Sequence, residues 1–285
     1  MHQQSLLKGL ALLSLSALLF ASMGVLIRFA SHTVDNATVV FMRNLTGTLL
    51  LLPFVLSRGK DFLRTDKFTM HLWRALVGLA AMYGFFYAIA HLPLSNAMVF
   101  TYSSPVFIPL VAWLFLKEKI SALMLLAAAI GLIGVLLVAK PSNEMFNWLS
   151  LVGLSSSFLA SMAFVTVRAL TKTEPATRIV FYFCLISTLV SAVPMYWHWR
   201  MLTTQELVYL VGAGTLATLS QISLSKAYSF APAGKIGPAN YLAIIFAGIW
   251  AWLLWNEVPD NLSIAGMVLI FMALLLCLPR SQAKV

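Results

Sequence analysis

The chain has 285 residues, of which 61% are hydrophobic and 10% charged, with a formal net charge of +10. A soluble globular domain carries about 25% charged residues, so this composition excludes one, and the absence of alternating polar and apolar segments excludes a membrane β-barrel. A basic soluble protein would suggest nucleic acid as a partner. Here the lysines and arginines collect between apolar segments, so we expect the lipid bilayer as a partner and no nucleic acid.

Ten apolar runs of about 20 residues follow one another, each long enough to cross a hydrocarbon core of about 30 Å. The first is too long for a signal-peptide core and lacks a clear cleavage site after it. The sequence therefore predicts an all-α polytopic membrane protein with ten transmembrane helices. The predicted spans are 6–29, 37–56, 72–90, 95–116, 120–139, 149–168, 178–196, 206–227, 236–255 and 261–278.

Basic residues concentrate on one side of the predicted bundle. By the positive-inside rule that side faces the cytoplasm, which places both termini there and predicts a multi-pass protein of the cell (inner) membrane. The opposite connections contribute only Lys140 and Arg200. The cytoplasmic set comprises Arg58, Lys60, Arg64, Lys67, Lys117, Lys119, Lys172, Arg178, Arg280 and Lys284.

An internal repeat recurs at a constant shift of 139 residues. Ala21-Ser22-Met23 returns as Ala160-Ser161-Met162, and Glu118 returns as Glu257 without the two lysines that flank the first copy. Five spans separate equivalent positions, and five is odd, so the second copy lies inverted in the membrane. We therefore expect two inverted five-helix repeats, 1–139 and 140–285, which is the architecture of carriers that work by alternating access.

Short motifs in both halves resemble the EamA-type transporters of the drug/metabolite transporter superfamily. They are Ser-Pro-Val-Phe at 104–107 with Leu-Lys-Glu-Lys-Ile at 116–120, and Ala-Pro-Ala at 231–233 with Asn-Glu-Val-Pro-Asp at 256–260. The resemblance implies cytoplasmic termini and a central cavity lined chiefly by helices 1, 3, 4, 6, 8 and 9. A narrower likeness to S-adenosylmethionine carriers of intracellular bacteria appears around Lys226 and at 256–260.

Arg43 is the sharpest candidate for substrate contact, because it lies about 9 Å along the second span at 1.5 Å per residue. A guanidinium there can hold a carboxylate or phosphate through its bidentate fork. The alternative is a packing arginine bonded to carbonyls or extended to the interface. Arg28, Arg74 and Arg168 lie near span ends, and we interpret them as interfacial anchors.

Further polar side chains are candidates because polar groups inside hydrocarbon usually line a cavity or pair with one another. A serine can instead satisfy itself on its own helix, and Lys226 can reach the headgroups. Pro105 and Pro109 are predicted hinges within the fourth span, since each removes a backbone donor. The other substrate-binding candidates are Ser22, Tyr83, Tyr87, Tyr102, Ser103, Ser161, Gln221, Ser225, Lys226, Asn240 and Tyr241.

These features predict a secondary transporter that moves a small zwitterionic or anionic metabolite, amino-acid-like or S-adenosylmethionine-like. No phosphate-binding glycine loop is present, and no acidic residue falls in mid-span, which favours exchange or facilitated movement over carboxylate-driven proton coupling. We expect no catalytic residue, metal or cofactor. A lipid flippase of the same architecture and, more remotely, an intramembrane enzyme are alternatives; the substrate, the direction and the oligomeric state (monomer or homodimer) stay open.

Overall fold

The computed structural model describes residues 2–91, 100, 102–140 and 148–277, which form ten helices of 13 or more residues and no strand. Seven helical segments are long and apolar enough to span a membrane, and α4 and α10 are shorter. The predicted all-α fold of ten helices is confirmed. The helices are α1 (His2–Ala30), α2 (Asn36–Arg58), α3 (Phe68–His91), α4 (Ser104–Leu116), α5 (Ala122–Ala139), α6 (Trp148–Leu170), α7 (Ala176–Trp197), α8 (Thr204–Phe230), α9 (Leu242–Trp255) and α10 (Asn261–Leu276).

Polar residues cap several of these helices where the chain enters the bundle. The Asp35 carboxylate accepts from the Ala37 amide at 2.7 Å, and Asp260 accepts from the Ser263 amide at 3.0 Å. Thr203 and Glu206 form a reciprocal capping box at the start of α8. Such caps satisfy amides that have no partner within the helix, and they account for the positions of Asp35, Glu206 and Asp260 at helix starts.

The fourth helix is shorter than the predicted span 95–116, and this corrects one hinge. Residues 95–99 lie outside the described residues, and α4 begins only at Ser104, with Ser103 as its N-cap residue. Pro105 is therefore in the first turn, where a missing N–H breaks no intrahelical bond, so it does not act as a hinge inside the helix. Pro109 does lie within α4, as predicted.

The ninth helix also starts late. The predicted span 236–255 begins with a 3-10 helix, Gly237–Tyr241, preceded by the short turn Ala233–Ile236, and the α-helix starts at Leu242. Asn240 therefore projects from 3-10 backbone, in which the side chains have a different angular spacing from that of an α-helix.

Helices of each half pack against helices of the other half, as expected for an inverted repeat. In the first half α1 packs against α8 and α9, and in the second half its counterpart α6 packs against α3 and α4. The pairs α2–α7 and α5–α10 join counterparts directly. Lys117 and Asn256, 139 residues apart, end α4 and α9 in the left-handed conformation (φ 54° and 53°). The two connections thus share one turn geometry.

The contact between α5 and α10 depends on glycine. A Cβ atom on Gly134 would lie 2.6 Å from the Gly266 carbonyl oxygen and 2.8 Å from Ile270 Cγ1. Small residues at such crossings let two membrane helices approach closely. The first of these neighbours is backbone and cannot rotate away, so a larger residue must push the helices apart.

We accordingly expect Gly134→Ala to destabilise the protein by about 1–3 kcal/mol, the usual cost of overpacking. Thermal unfolding of purified protein in detergent measures the effect. Gly24→Ala is the matched control, because no atom lies within 4 Å of a Cβ built there. Equal melting temperatures for the two variants would contradict the interpretation of this contact.

Candidate functional site: a central cavity with two buried arginines

A cavity of about 180 Å³ lies between the helices and draws side chains from α1, α2, α3, α4, α6, α7, α8 and α9. All six helices that the resemblance implied contribute to it, and α2 and α7 contribute as well. Much of the wall is apolar, with Phe20, Phe85 and Phe164 among the lining residues. An apolar chamber with a few placed polar groups is the usual form of a small-molecule site.

Serine side chains place polar groups on two walls of this cavity. Ser16 of α1 donates to the Ser220 carbonyl of α8 at 2.9 Å, and Ser156 of α6 donates to the Ala81 carbonyl of α3 at 2.6 Å. Ser157 lies beside Ser156, and its hydroxyl has no partner among the described residues.

Arg43 reaches the cavity from α2. The side chain is buried, with 7% of the residue exposed. Its Nη1 lies 3.6 Å from the Met82 sulfur of α3, and its Nε has no partner among the described residues. A thioether is a weak acceptor. The guanidinium therefore does not extend to the interface, and it bonds no carbonyl oxygen of the described residues.

Arg74 corrects the sequence interpretation, which placed it at the interface. Only 4% of the residue is exposed, and it lines the cavity. Its Nη2 donates to Gln221 Oε1 at 2.7 Å, and its guanidinium carbon lies 3.6 Å from the centre of the Phe183 ring. Its Nε and Nη1 have no partner within the described chain. α3 begins at Phe68, earlier than predicted, so Arg74 stands nearly two turns inside.

Gly78 lets the Arg74 side chain lie along α3 toward the middle of the bundle. A Cβ atom on Gly78 would be 2.6 Å from Arg74 Nη1. Residues four apart share a helix face, so an arginine followed by a glycine at this spacing is the sequence signal that could have identified Arg74.

The cavity carries positive charge without a protein counter-charge. None of the residues that line it, within the described ranges, is an aspartate or a glutamate. A buried charge without a partner is costly, and ionisable groups at membrane depth generally serve function. Chemically, this arrangement can bind an anion.

Four of the predicted contact residues come together around the cavity: Arg43, Tyr102, Gln221 and Asn240. Five further polar residues line the cavity but were not predicted as substrate contacts: Arg74, Ser16, Ser156, Ser157 and Ser220. Serines gave no distinguishing signal, because in an apolar helix each could equally bond its own preceding turn.

Several predicted residues have structural roles outside the cavity. Tyr241 is fully buried and donates to the Ala128 carbonyl at 3.0 Å, which fastens the start of α9 to α5. Ser22 donates to Leu18 and accepts from Trp250 Nε1, and Ser161 donates to Phe158. Ser22 and Ser161, matched in the sequence, therefore occupy different settings.

The other predicted residues lie away from the cavity wall. Lys226 is exposed, and Tyr87 is 41% exposed. Ser103 is buried as the N-cap residue of α4, and Ser225 is buried with no bonded partner for its hydroxyl among the described residues. The Tyr83 hydroxyl is likewise buried without one.

Ionic contacts join the two halves at both ends of the bundle. At the end where α1 begins, which we call the N-terminal face, Arg168 Nε contacts Glu118 Oε1 at 3.2 Å, and Thr65 donates to Glu174 at 2.5 Å. At the opposite face Arg28 contacts Glu257 at 2.8 Å.

Three further contacts lie at the opposite face, and the one between Thr33 and Glu206 joins the two halves. Thr33 donates to Glu206 at 2.5 Å, and Arg200 contacts the same carboxylate at 2.6 Å. Lys140 donates to Asp260 and lowers the pKa of that carboxyl to about 2. At each face, therefore, side chains from the two halves are in contact.

Comparison with known proteins agrees with this architecture. The model of the EamA-like transporter family matches residues 7–140 and again 147–278. A pseudopaline exporter of Pseudomonas aeruginosa is 35% identical over 97% of this chain and 96% of its own. An S-adenosylmethionine uptake transporter of Rickettsia bellii is 27% identical over 94% of this chain and 92% of its own. A solved crystal structure has the same fold, with a TM-score of 0.81 at 16% identity over 94% of this chain and 95% of that one.

The family and the names of these relatives indicate transporters of small solutes rather than enzymes. They agree with a multi-pass, all-helical structure whose polar groups converge on an internal cavity. The chain belongs to the EamA-like transporter family.

Proposed function

We propose that this protein carries a small anionic or zwitterionic metabolite, amino-acid-like or S-adenosylmethionine-like, across the cell (inner) membrane. The observation that carries the proposal is the central cavity, in which two buried arginines have no acidic partner among the lining residues. An anionic group on the solute would supply the missing counter-charge. Two exposed polar faces flank this cavity, which is the arrangement expected of a carrier.

Transport would proceed by alternating access between two inverted halves, 1–139 and 140–285. Support comes from the paired contacts at the two faces, since Arg168–Glu118 and Arg28–Glu257 each connect one half with the other. If the halves exchange conformations, one pair separates while the other stays closed. The basic loops favour a cytoplasmic N-terminal face, and with it cytoplasmic termini.

The substrate class is not set by the relatives. One is named an exporter and another an uptake transporter, for different solutes. The cavity of about 180 Å³ is also smaller than the roughly 300–1,000 Å³ of pockets for drug-sized ligands. A metabolite of amino-acid size or larger would therefore require the surrounding helices to separate as it binds.

An untargeted comparison of metabolites in cells with and without the protein tests the proposal directly. We expect a small anionic or zwitterionic metabolite to change its distribution between cells and medium. The same compound should then move in proteoliposomes without an imposed pH gradient, since no carboxylate was found in mid-span. Strict dependence on such a gradient would refute the coupling hypothesis, and an unchanged metabolite profile would refute the transport proposal.

A lipid flippase is the second candidate, favoured by one feature. An apolar groove lies between α3, α4 and α6 toward the N-terminal face, lined by Trp73, Phe115 and Val165 among others. An acyl chain could occupy such a groove while a headgroup enters the cavity. Dithionite quenching of fluorescent phospholipids in proteoliposomes distinguishes the two, because only a flippase would expose inner-leaflet lipid to the quencher.

A further inference from the structure

We propose that the cavity binds a doubly anionic compound, with Arg43 and Arg74 each holding one negative group or sharing one dianion. This proposal rests on the proposed function and specifies its substrate class. It requires that both guanidinium groups face one space, that they have free donors, and that no protein group already neutralises them.

The positions of the two guanidinium groups follow from their contacts with α3. Arg74 lies beside Gly78, and Arg43 lies beside Met82. Gly78 and Met82 are four residues apart on one helix face, and one turn rises about 5.4 Å. The two groups therefore sit about one helical turn from each other, although they come from different helices.

Both groups retain donors for a ligand. Arg43 Nε and Arg74 Nε and Nη1 are buried and without a hydrogen-bond partner among the described residues. The contacts that each group does make are uncharged, to Met82 for Arg43 and to Gln221 and Phe183 for Arg74. Guanidinium groups bind carboxylates and phosphates through paired N–H donors, so these free donors suit oxygen anions.

A single negative charge would leave the site unbalanced. The two arginines repel each other, and one carboxylate would neutralise only one of them. The other would remain a buried charge with an incomplete set of partners, which is strongly unfavourable. A ligand with two negative charges removes both costs at once, and it should be preferred over an otherwise identical monoanion.

Gly78 and Gln221 position the second of these groups. Gln221 fixes Arg74 Nη2 at 2.7 Å, and Gly78 leaves the space in which Nη1 lies. A methyl group at position 78 would displace the flexible end of the arginine rather than backbone. Gly78→Ala should therefore move the charge while leaving the fold intact.

The test measures ligand binding to purified full-length protein by calorimetry. The probes are glutarate and its monoamide glutaramate, which match in size and differ by one carboxylate. Inorganic phosphate is the third probe and tests whether the two arginines share one dianionic group. We expect glutarate, phosphate or both to bind the wild type about tenfold more tightly than glutaramate does, the scale of one charged hydrogen-bonded contact. Arg74→Gln and Arg43→Gln should each abolish that preference, and Arg58→Gln, an exposed arginine outside the cavity, should keep it.

Gly78→Ala provides a second route if a glutamine variant fails to fold. It keeps both arginines and should still reduce the preference for the dianion. Equal affinity for all three probes, or no binding of any of them, overturns the proposal. So does a dianion preference that survives in Gly78→Ala and both glutamine variants.

Failure of the proposed function would look different. If the metabolite comparison and liposome assay find no solute movement while glutarate or phosphate still binds with the expected preference, transport is wrong and the dianion site stands. If a solute moves but it carries fewer than two negative charges, transport stands and this inference is wrong.

Discussion

Replacing Arg43 by methionine is expected to reduce transport by about thirtyfold or more while raising the stability of the protein. The loss follows because truncating one partner of a buried charge pair with the substrate typically costs about 2–5 kcal/mol. The gain follows because Arg43 is buried and, among the described residues, bonds only to the Met82 sulfur and has no acidic partner in the cavity. A long apolar side chain fills similar space without that penalty.

Two measurements on one preparation distinguish a substrate anchor from a packing residue. The transport rate of the identified substrate reports function, and the melting temperature without ligand reports stability. If Arg43 only packed the bundle, both values would fall together. Arg58→Met is the matched control: Arg58 is exposed and lies over Phe54, so transport should stay near wild type.

A second expected effect concerns the ligand itself. In the wild type a bound dianion should raise the melting temperature, since a ligand that binds only the folded state stabilises it. In Arg43→Met this increase should largely vanish. A group kept for binding often lowers the stability of the fold. If Arg43 is such a group, Arg43→Met should melt at a higher temperature without ligand and should no longer be stabilised by the dianion.

The fold was predictable because its determinants are repetitive and local. Ten apolar runs indicated ten helices. The glutamates that recur just after α4 and α9, Glu118 and Glu257, indicated the relation between the halves. The boundaries failed where backbone leaves the α-helical pattern. Hydropathy cannot distinguish a 3-10 turn such as Gly237–Tyr241 from the first turn of an apolar helix, so α9 was predicted to start too early.

The site was predictable only in part, for a related physical reason. Arg43 was found because a charge in mid-span is costly wherever it points. Arg74 was missed because sequence position locates a Cα atom, while a long side chain can place its charge more than a turn away, here along Gly78. Tyr241 was assigned to the cavity, but its hydroxyl bonds Ala128 and its ring fills the space left by Gly131.

Cross-linking either face of the bundle is expected to stop transport. If the halves alternate, Arg28 and Glu257 must separate at one stage of the cycle and Arg168 and Glu118 at another. A covalent tie at either pair holds the carrier in one state, so a complete cycle becomes impossible even though the substrate can still bind from the open side. The tie can be made with a pair of cysteines at these positions, joined by a bifunctional thiosulfonate that spans the distance between the paired side chains. The resulting disulfides can be reduced, so the cross-link is reversible.

The experiment requires Cys277→Ser as background, whereas Cys184 is buried and can be kept. Transport should fall to background after cross-linking in each double-cysteine variant and recover on reduction. Each single cysteine treated with a monofunctional reagent should remain active, which separates the tie from loss of the ion pair. Because the two pairs stand at opposite faces, alternating access requires both ties to inhibit; a tie at one face that leaves transport intact would mean that this face never opens.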